Sequence, residues 1–282
     1  MTIILDGKAL SKKIFKELKR EVEELKGKGI VPKISLILVG EDPASSSYVN
    51  MKAKRAKRLG MDSEIHKLPE NISERDLAKF IEKLNEDANV HGIVVQMPLP
   101  KHICERRISD TVDPRKDIDG LHSENLGRLL ANEKCLVSPA AEGIMTLFKE
   151  YSIKVEGKHA VILGATELTG KPLAALLLNG GAAVTICHST IEDFKRYTLD
   201  ADIVVADIAK PKAIRGDMVK EGVVVVDCGF NYVEGKLIGD VNFDEVSSKA
   251  YAITPVPGGV GPMIIAILMR NLVKAVKLYH LK

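Results

Sequence analysis

A lysine set among apolar side chains can do chemistry that a solvated lysine cannot. Residues Ala44 to Leu59 are helical in composition. At about 100° per residue, Leu59, Lys52, Ala56, Val49 and Ala53 fall in one arc with Tyr48 at its margin. Partial burial lowers a lysine's pKa, so Lys52 could exchange a proton near neutral pH. The plainer reading is that its stem crosses the core and the ammonium snorkels into water. Tyr48 stands one turn earlier, beside it. Lys54, Lys57 and Arg58 point the other way and read as a solvated basic face, not a nucleic-acid site. Gln96 closes the run HGIVVQ, read as a parallel strand, and so lies where open α/β sheets place their ligands. A lone glutamine there also reads as a loop hydrogen-bonder.

Two further segments carry candidate groups. In Lys116-Asp117-Ile118-Asp119-Gly120, Asp117 reads as a turn residue, and Asp119 before Gly120 is also a common turn pairing. The segment Thr254-Pro255-Val256-Pro257-Gly258-Gly259-Val260-Gly261-Pro262 holds three prolines and three glycines. They fix an unusual backbone just before a helix, and rigid loops of that sort are where ligands are gripped.

Gly164-Ala165-Thr166-Glu167-Leu168-Thr169-Gly170 follows the strand HAVILG and opens a helix over Thr169 to Asn179. That is the context in which backbone N–H groups and a helix N-terminus hold a phosphate, although the spacing is not G-x-G-x-x-G. An ordinary βα turn is the other reading. The surrounding strands and a second turn at Asp227-Cys228-Gly229 favour a dinucleotide. The second strand ends in Cys187-His188-Ser189-Thr190, with no acidic residue for a ribose diol. An imidazole and hydroxyls suit a 2′-phosphate, so NADP is expected over NAD; otherwise Ser189 caps the next helix.

The elements that must position these groups alternate along the chain. A strand near Ile3 to Leu5 precedes a helix carrying Leu10, Ile14, Leu18, Val22 and Leu25, ended by Gly27 and Gly29. KISLILV, Asp62 to Leu68 and HGIVVQ read as strands. Ser73 with Asp76 caps a helix bearing Leu77, Phe80, Ile81 and Leu84. After a loop-rich stretch a second series begins at His159, with strands HAVILG, AAVTICHS, DIVVA and VVVVDCG. The last helix, about Pro262 to Leu281, is expected to pack back on the first domain. Strand–helix alternation argues parallel sheets with helices on both faces. The expected architecture is α/β in two domains, 1–138 completed by 262–282, and a dinucleotide-binding 139–261.

The bulk numbers agree. The 282 residues exceed one comfortable core, with 45% hydrophobic, 28% charged and a net charge of +3. Nothing calls for nucleic acid or membrane as partner. Cys104, Cys135, Cys187 and Cys228 are scattered singly, which suggests neither zinc nor disulfides and no other metal site. With no secretory signal or transmembrane stretch in view, a cytoplasmic protein is expected.

Taken together, YVNMK, VVQMPLP, KDIDGLH, CHST and TPVPGGVGPM resemble the methylenetetrahydrofolate dehydrogenase/cyclohydrolase family, in its order and spacing over nearly the whole chain. The resemblance implies a bifunctional enzyme, usually a homodimer, with folate in a cleft between an N-terminal domain and a C-terminal Rossmann-like domain. Carried over by motif, Lys52 is the catalytic lysine, Gln96 its hydrogen-bonding modulator, Tyr48 the aromatic that positions folate, and Asp119 the pterin anchor. Pro257, Gly258 and Gly259 fall on the substrate side. Gly164, Ala165, Thr166, Thr169, Gly170, His188, Ser189, Thr190, Cys228 and Gly229 fall on the cofactor side. The implied activity is oxidation of 5,10-methylenetetrahydrofolate with NADP, then hydrolysis to 10-formyltetrahydrofolate. The departures from the family pattern are Ala165 where an arginine is usual, Ser138-Pro139-Ala140-Ala141 for P-C-T-P, Ala209 for a glycine, and Ile264 for a threonine. Other readings are a different two-domain NAD(P) dehydrogenase and a non-catalytic folate or dinucleotide binder.

Overall fold

The structure, a computed structural model, describes residues 2–281 of the chain. β1 (Ile3–Ile4) and α1 (Gly7–Gly27) lead into β2 (Lys33–Val39), α2 (Pro43–Arg58), β3 (Asp62–Leu68), α3 (Glu74–Glu86) and β4 (Gly92–Val95). Helices α4 (Glu105–Ser109), α5 (Ser123–Leu130) and α6 (Pro139–Glu150) follow. The second series runs β5 (His159–Leu163), α7 (Gly170–Asn179), β6 (Ala183–Cys187), α8 (Lys195–Thr198), β7 (Ile203–Ala206) and β8 (Val224–Asp227). A hairpin of β9 (Asn231–Val233) and β10 (Lys236–Ile238), then α9 (Phe243–Ser247), β11 (Ala252–Ile253) and α10 (Val260–Ala275), complete it, with a wider π turn at Val276–His280.

The chain forms two compact units. One comprises Lys13–Pro139 with Ile265 onward, and the other the residues through Lys12 with Ala140–Ile264. The first domain was expected to begin at residue 1. Instead β1 joins the second unit, because Ile3 N and Leu5 N donate to Tyr251 O and Ile253 O, making β1 the edge strand beside β11.

In the first unit three parallel strands lie in the order β3-β2-β4. β2 and β4 are apolar and buried almost throughout, whereas the edge strand β3 alternates between shielded and partly exposed positions. α3 starts as its capping residues require: Ser73 Oγ accepts from Asp76 N at 3.1 Å, while Leu77, Ile81 and Leu84 sink into the core. Its C-terminal carbonyls meet an unusual partner. Lys116 is 3% exposed, and its ammonium donates to Leu84 O, Asn85 O and Asp87 O at 3.2, 2.8 and 2.7 Å. A cation there satisfies orphan carbonyls and the negative end of the helix dipole together. The final helix does pack on this sheet. A Cβ at Gly92 would strike Leu272 and Ile118, and the Asn271 carboxamide donates to Ile118 O and Val137 O.

The second unit holds a six-stranded parallel sheet in the order β1-β11-β8-β7-β5-β6. Because β6 lies on one side of β5 and β7 on the other, the chain reverses direction across the sheet at the end of β5, the position where open α/β sheets bind ligands. Valines and alanines of β5, β7 and β8 fill the core beneath.

At the foot of the three-stranded sheet, His91 is 8% exposed and its Nδ1 accepts the backbone N–H of Lys33 at 3.1 Å. Burial, then the nearby His280 and Lys116 charges, push its pKa down to about 4. An unfolded histidine protonates near ~6.5. Between those values the unfolded chain binds more protons, so stability is complete above the unfolded pKa and is lost as pH falls toward 4. His91→Asn keeps an acceptor without a titrating ring. From pH 7 to 4, wild type should lose up to about 3 kcal/mol more stability than the variant. Urea denaturation of both proteins across that range reads the difference, and parallel curves would remove His91 as its source.

Candidate active site

α2 is held at its start by Asp42, whose carboxylate accepts from Ser45 N at 2.7 Å ahead of Pro43. Burial of Ser45, Val49, Ala53 and Ala56 fixes its inward face, and Lys54, Lys57 and Arg58 are exposed as expected. Lys52 is half-buried within that arc, between the buried Ala56 and Leu59 on the helix surface, and its ammonium meets a polar partner. Lys52 Nζ donates to Gln96 Oε1 at 3.1 Å. Gln96 is itself fixed: its N–H extends the sheet by donating to Ile37 O, and Nε2 donates to Met97 O at 2.7 Å. Its carbonyl oxygen is therefore oriented toward the lysine. The following Met97–Pro98 peptide is cis. Tyr48, half-buried, precedes Lys52 by one helical turn.

Asp119 comes to the same place. It is half-buried, and no hydrogen bond from another described residue reaches its carboxylate. Burial raises its pKa above the ordinary carboxylate range while the Lys52 ammonium pulls the other way. Its neighbours explain how an acid is held there. Asp117 is more than a turn residue: it is buried, and its Oδ2 accepts from His122 N at 2.8 Å and Asn125 Nδ2 at 2.9 Å. Gly120 has φ +65°, and a side chain on it would run into Val137 and Ser138. Lys52, Gln96, Asp119 and Tyr48 thus lie in one unit, with the lysine touching the glutamine and sensing the acid.

In the other unit the turn Gly164–Gly170 sits at the strand-order reversal. Gly164 has φ +113°, and a Cβ on it would collide with the Asp207 carbonyl; one on Gly170 would collide with the Gly164 carbonyl. The backbone doubles back so tightly that only glycine fits, which suits close approach of a phosphate at the α7 N-terminus. Thr166 organises this turn. Its hydroxyl donates to Asp207 Oδ2 at 2.9 Å and accepts from Thr169 N and Gly170 N. Thr169 and Gly170, both buried, therefore shape the cradle more than they offer free donors. Ala165 places only a methyl where a guanidinium could lie.

After β6, His188, Ser189 and Thr190 are all exposed, and His188 Nδ1 accepts from Thr190 N at 3.4 Å. Ser189 caps nothing, since α8 begins at Lys195 with Phe194 in the capping position. Cys228 is half-buried, and burial with the carboxylates of Asp207, Asp227 and Asp240 pushes its thiol well up, leaving it neutral and unreactive. Gly229 is required where it stands, as a Cβ would meet the Asp240 backbone and carboxylate.

The proline-glycine segment is bound into the same unit. Val256–Pro257 is cis, Gly258 has φ +120°, Gly259 N donates to Pro255 O, and Lys8 N donates to Gly258 O. Pro257 is exposed, Gly258 half-buried and Gly259 buried. Asp207 and Asp240 were not singled out from sequence, and Asp227 and Thr254 entered only as the first residues of longer motifs. The one available signal was their place at strand ends or beside glycine. Among the described residues no His, Cys, Asp and Glu cluster could hold a metal ion, and no helix is long and apolar enough to cross a membrane.

Residues 5–119 match the tetrahydrofolate dehydrogenase/cyclohydrolase catalytic domain, and residues 138–280 match the NAD(P)-binding domain of the same family. The bifunctional protein FolD of Nautilia profundicola is 50% identical over 275 residues, 97% of each chain. The crystal structure of the bifunctional FolD methylenetetrahydrofolate dehydrogenase/cyclohydrolase from Campylobacter jejuni is 48% identical, with TM-score 0.96 over 98% of this chain and 99% of that one. The Trypanosoma brucei enzyme, solved with NADP cofactor and an inhibitor, is 36% identical, with TM-score 0.93 over 98% and 97%. With both domains matched and half the residues shared across the full length, this chain belongs to the tetrahydrofolate dehydrogenase/cyclohydrolase family.

Proposed function

We propose that this protein oxidises 5,10-methylenetetrahydrofolate with NADP and hydrolyses the resulting methenyl compound to 10-formyltetrahydrofolate. The observation that carries this reading is the Lys52–Gln96 hydrogen bond beside an Asp119 carboxylate that has no hydrogen-bond partner among the described residues. A half-buried acceptor left open suits the paired N3–H and 2-amino donors of a pterin. Tyr48, one turn from Lys52, supplies a ring edge to pack against the folate. A bound dinucleotide supplies hydride acceptance at the one-carbon bridge, and the glycine turn at 164–170 with the hydroxyls and imidazole of 188–190 would hold it. The unit of Lys13–Pro139 with Ile265 onward would then carry folate, and the unit of Ala140–Ile264 with the residues through Lys12 the cofactor.

Hydrolysis needs a water deprotonated next to the methenyl carbon. Lys52 in its neutral form takes that proton on Nζ as the water oxygen bonds to carbon. The C–N5 bond then breaks with its electron pair on N5, which gains a proton as the carbinol oxygen loses one. Gln96 Oε1 accepts a hydrogen bond from the lysine throughout, fixing where Nζ points.

A homodimer is the further element of this reading. On the β9–β10 ribbon, Phe230 and Tyr232 pack edge to face at 5.5 Å while remaining 52% and 69% exposed. Exposed aromatics on a two-stranded edge favour pairing with a second copy. Among the described residues none of the four cysteines is in a disulfide, in keeping with a reducing cytoplasm.

Spectrophotometry tests the activity directly: methylenetetrahydrofolate should drive NADPH formation, with a higher kcat/KM for NADP than for NAD. Equal or better use of NAD would reject the assignment of 188–190 to a 2′-phosphate. Two variants separate the roles in the folate unit. Lys52→Met, which keeps the volume of the stem, should change stability by less than about 1.5 kcal/mol. It should slow methenyltetrahydrofolate hydrolysis by roughly 10²–10⁴-fold. Asp119→Asn should instead weaken folate binding by about 2–5 kcal/mol by calorimetry, with dinucleotide affinity nearly unchanged. A Lys52→Met enzyme hydrolysing at the wild-type rate, or unaltered folate affinity in Asp119→Asn, removes the residue from its role.

A further inference from the structure

The second unit contains a buried carboxylate that none of the proposed catalytic steps uses. Asp240 is fully shielded from solvent, yet it forms no salt bridge among the described residues. Its Oδ2 accepts from Ile208 N at 2.7 Å and Ala209 N at 3.1 Å. Its Oδ1 accepts from Lys210 N at 2.9 Å and Asn231 Nδ2 at 2.8 Å. Three consecutive backbone donors converging on one carboxylate form an anion nest whose anion is supplied by the protein itself. The bonds compensate a charge that would otherwise be very costly to bury.

Those three amides belong to the loop that leaves β7, and that loop reaches the glycine turn. Asp207, one residue before the nest, donates its own N–H to Leu163 O at the end of β5, and its carbonyl lies where a Gly164 side chain would be. Asp207 Oδ2 accepts from Thr166 Oγ1, which in turn accepts the first amides of α7. A continuous chain of hydrogen bonds and close backbone contacts therefore runs from Asp240 through 208–210 and Asp207 to Thr166 and the start of α7. The far side is anchored as well. Asp227, at the end of β8, accepts from Gly229 N and Asp240 N on one oxygen and from Val241 N on the other. Its own N–H donates to Thr254 Oγ1. Gly229 and Gly239 carry no side chain where one would strike Asp240 and Asp227.

A further feature argues that the nest imposes a shape on the loop. Ala209 has φ +54° and Lys212 φ +54°, left-handed conformations that a side chain resists. Ala209 is the middle residue of the three whose N–H groups Asp240 gathers. The carboxylate holds the backbone in a form it would not take alone, and it does so at the C-terminal edge of the sheet.

We propose that Asp240 is a positioning residue for the dinucleotide, fixing the 207–210 loop and through Asp207 the Gly164–Gly170 turn. The inference rests on the reading that this unit binds NAD(P). Asp240 touches no part of the folate machinery, so its loss should separate the two reactions. Asp240→Asn keeps the size but replaces one acceptor oxygen by a donor facing other donors.

The test measures NADP binding by calorimetry, the KM for NADP, and methenyltetrahydrofolate hydrolysis, which consumes no dinucleotide. The variant should bind NADP 10-fold to 100-fold more weakly and show a raised KM for NADP, while hydrolysis stays within about twofold of wild type. Hydrogen exchange at the amides of 208–210, without cofactor, should speed up in the variant. If Asp240→Asn does not fold, Asn231→Ala removes one donor from the same carboxylate and should weaken NADP binding several-fold with hydrolysis intact. Wild-type NADP affinity in the variant, unchanged exchange at 208–210, or an equal fall in both reactions overturns the proposal. Absence of NADP binding by the wild-type protein would instead reject the cofactor reading of the unit.

Discussion

A parallel strand buried on both faces can offer chemistry to a ligand only where it ends. The two larger sheets of this protein are wholly parallel, and β2, β4, β5, β7 and β8 are almost completely enclosed. Several of the polar groups discussed above accordingly stand at a strand terminus or in the turn beyond it, while Lys52 and Tyr48 come from α2. Gln96 follows β4, Gly164 follows β5, His188 follows β6, Asp207 follows β7 and Asp227 closes β8. The first residue past a strand end still bonds laterally, as Gln96 N does to Ile37 O and Asp207 N to Leu163 O, and the turn beyond it must be stiffened by other means. In the folate unit a glutamine bonded to its own neighbour's carbonyl does this. In the dinucleotide unit buried carboxylates do it by collecting backbone amides.

The charges inside the two units serve different ends. Lys116 and Asp117 adjoin in sequence and are both buried, but they do not neutralise each other. The lysine closes the end of α3, and the aspartate fixes the start of α5 through His122 and Asn125. Each is matched to backbone or amide groups, so neither is a spare titrating group. Asp119, two residues on, has no such match, and burial alone sets it above the usual carboxylate range. A satisfied acid thus stands two residues from one whose carboxylate accepts no hydrogen bond among the described residues.

What could be read from the sequence was local. The α2 periodicity placed Lys52 and Tyr48 on one side of a helix, and Ser73 with Asp76 fixed the start of α3 to the residue. The glycines at 164 and 170 were read as a strand-to-helix turn, and that turn is present between β5 and α7. What escaped depends on contacts distant in the chain. Ile3 and Ile4 form too short a run to reveal that their partner strand lies near residue 252. Asp117 resembles any turn aspartate until tertiary packing buries it. Asp240 stands in an unremarkable Gly-Asp-Val run, and only the fold carries three amides from about thirty residues earlier onto its carboxylate. Lys52 was read within the apolar arc and is half-buried there, but a helical wheel could not give its bond to Gln96, 44 residues on.

The division of the chain between the units bears on whether they can be separated. The first twelve residues complete one unit before the other begins, and the second unit ends partway along α10, whose remainder returns to the first. A fragment starting at residue 139 would lack its edge strand and carry a helical tail whose apolar face had lost its sheet. A fragment ending there would leave Gly92 and Ile118 uncovered where Leu272 belongs. The two units are therefore interleaved in the gene even though they are compact in space. Neither could have been gained, lost or exchanged by a single recombination point without damaging its neighbour, a tie of inheritance that holds whatever the two sites catalyse.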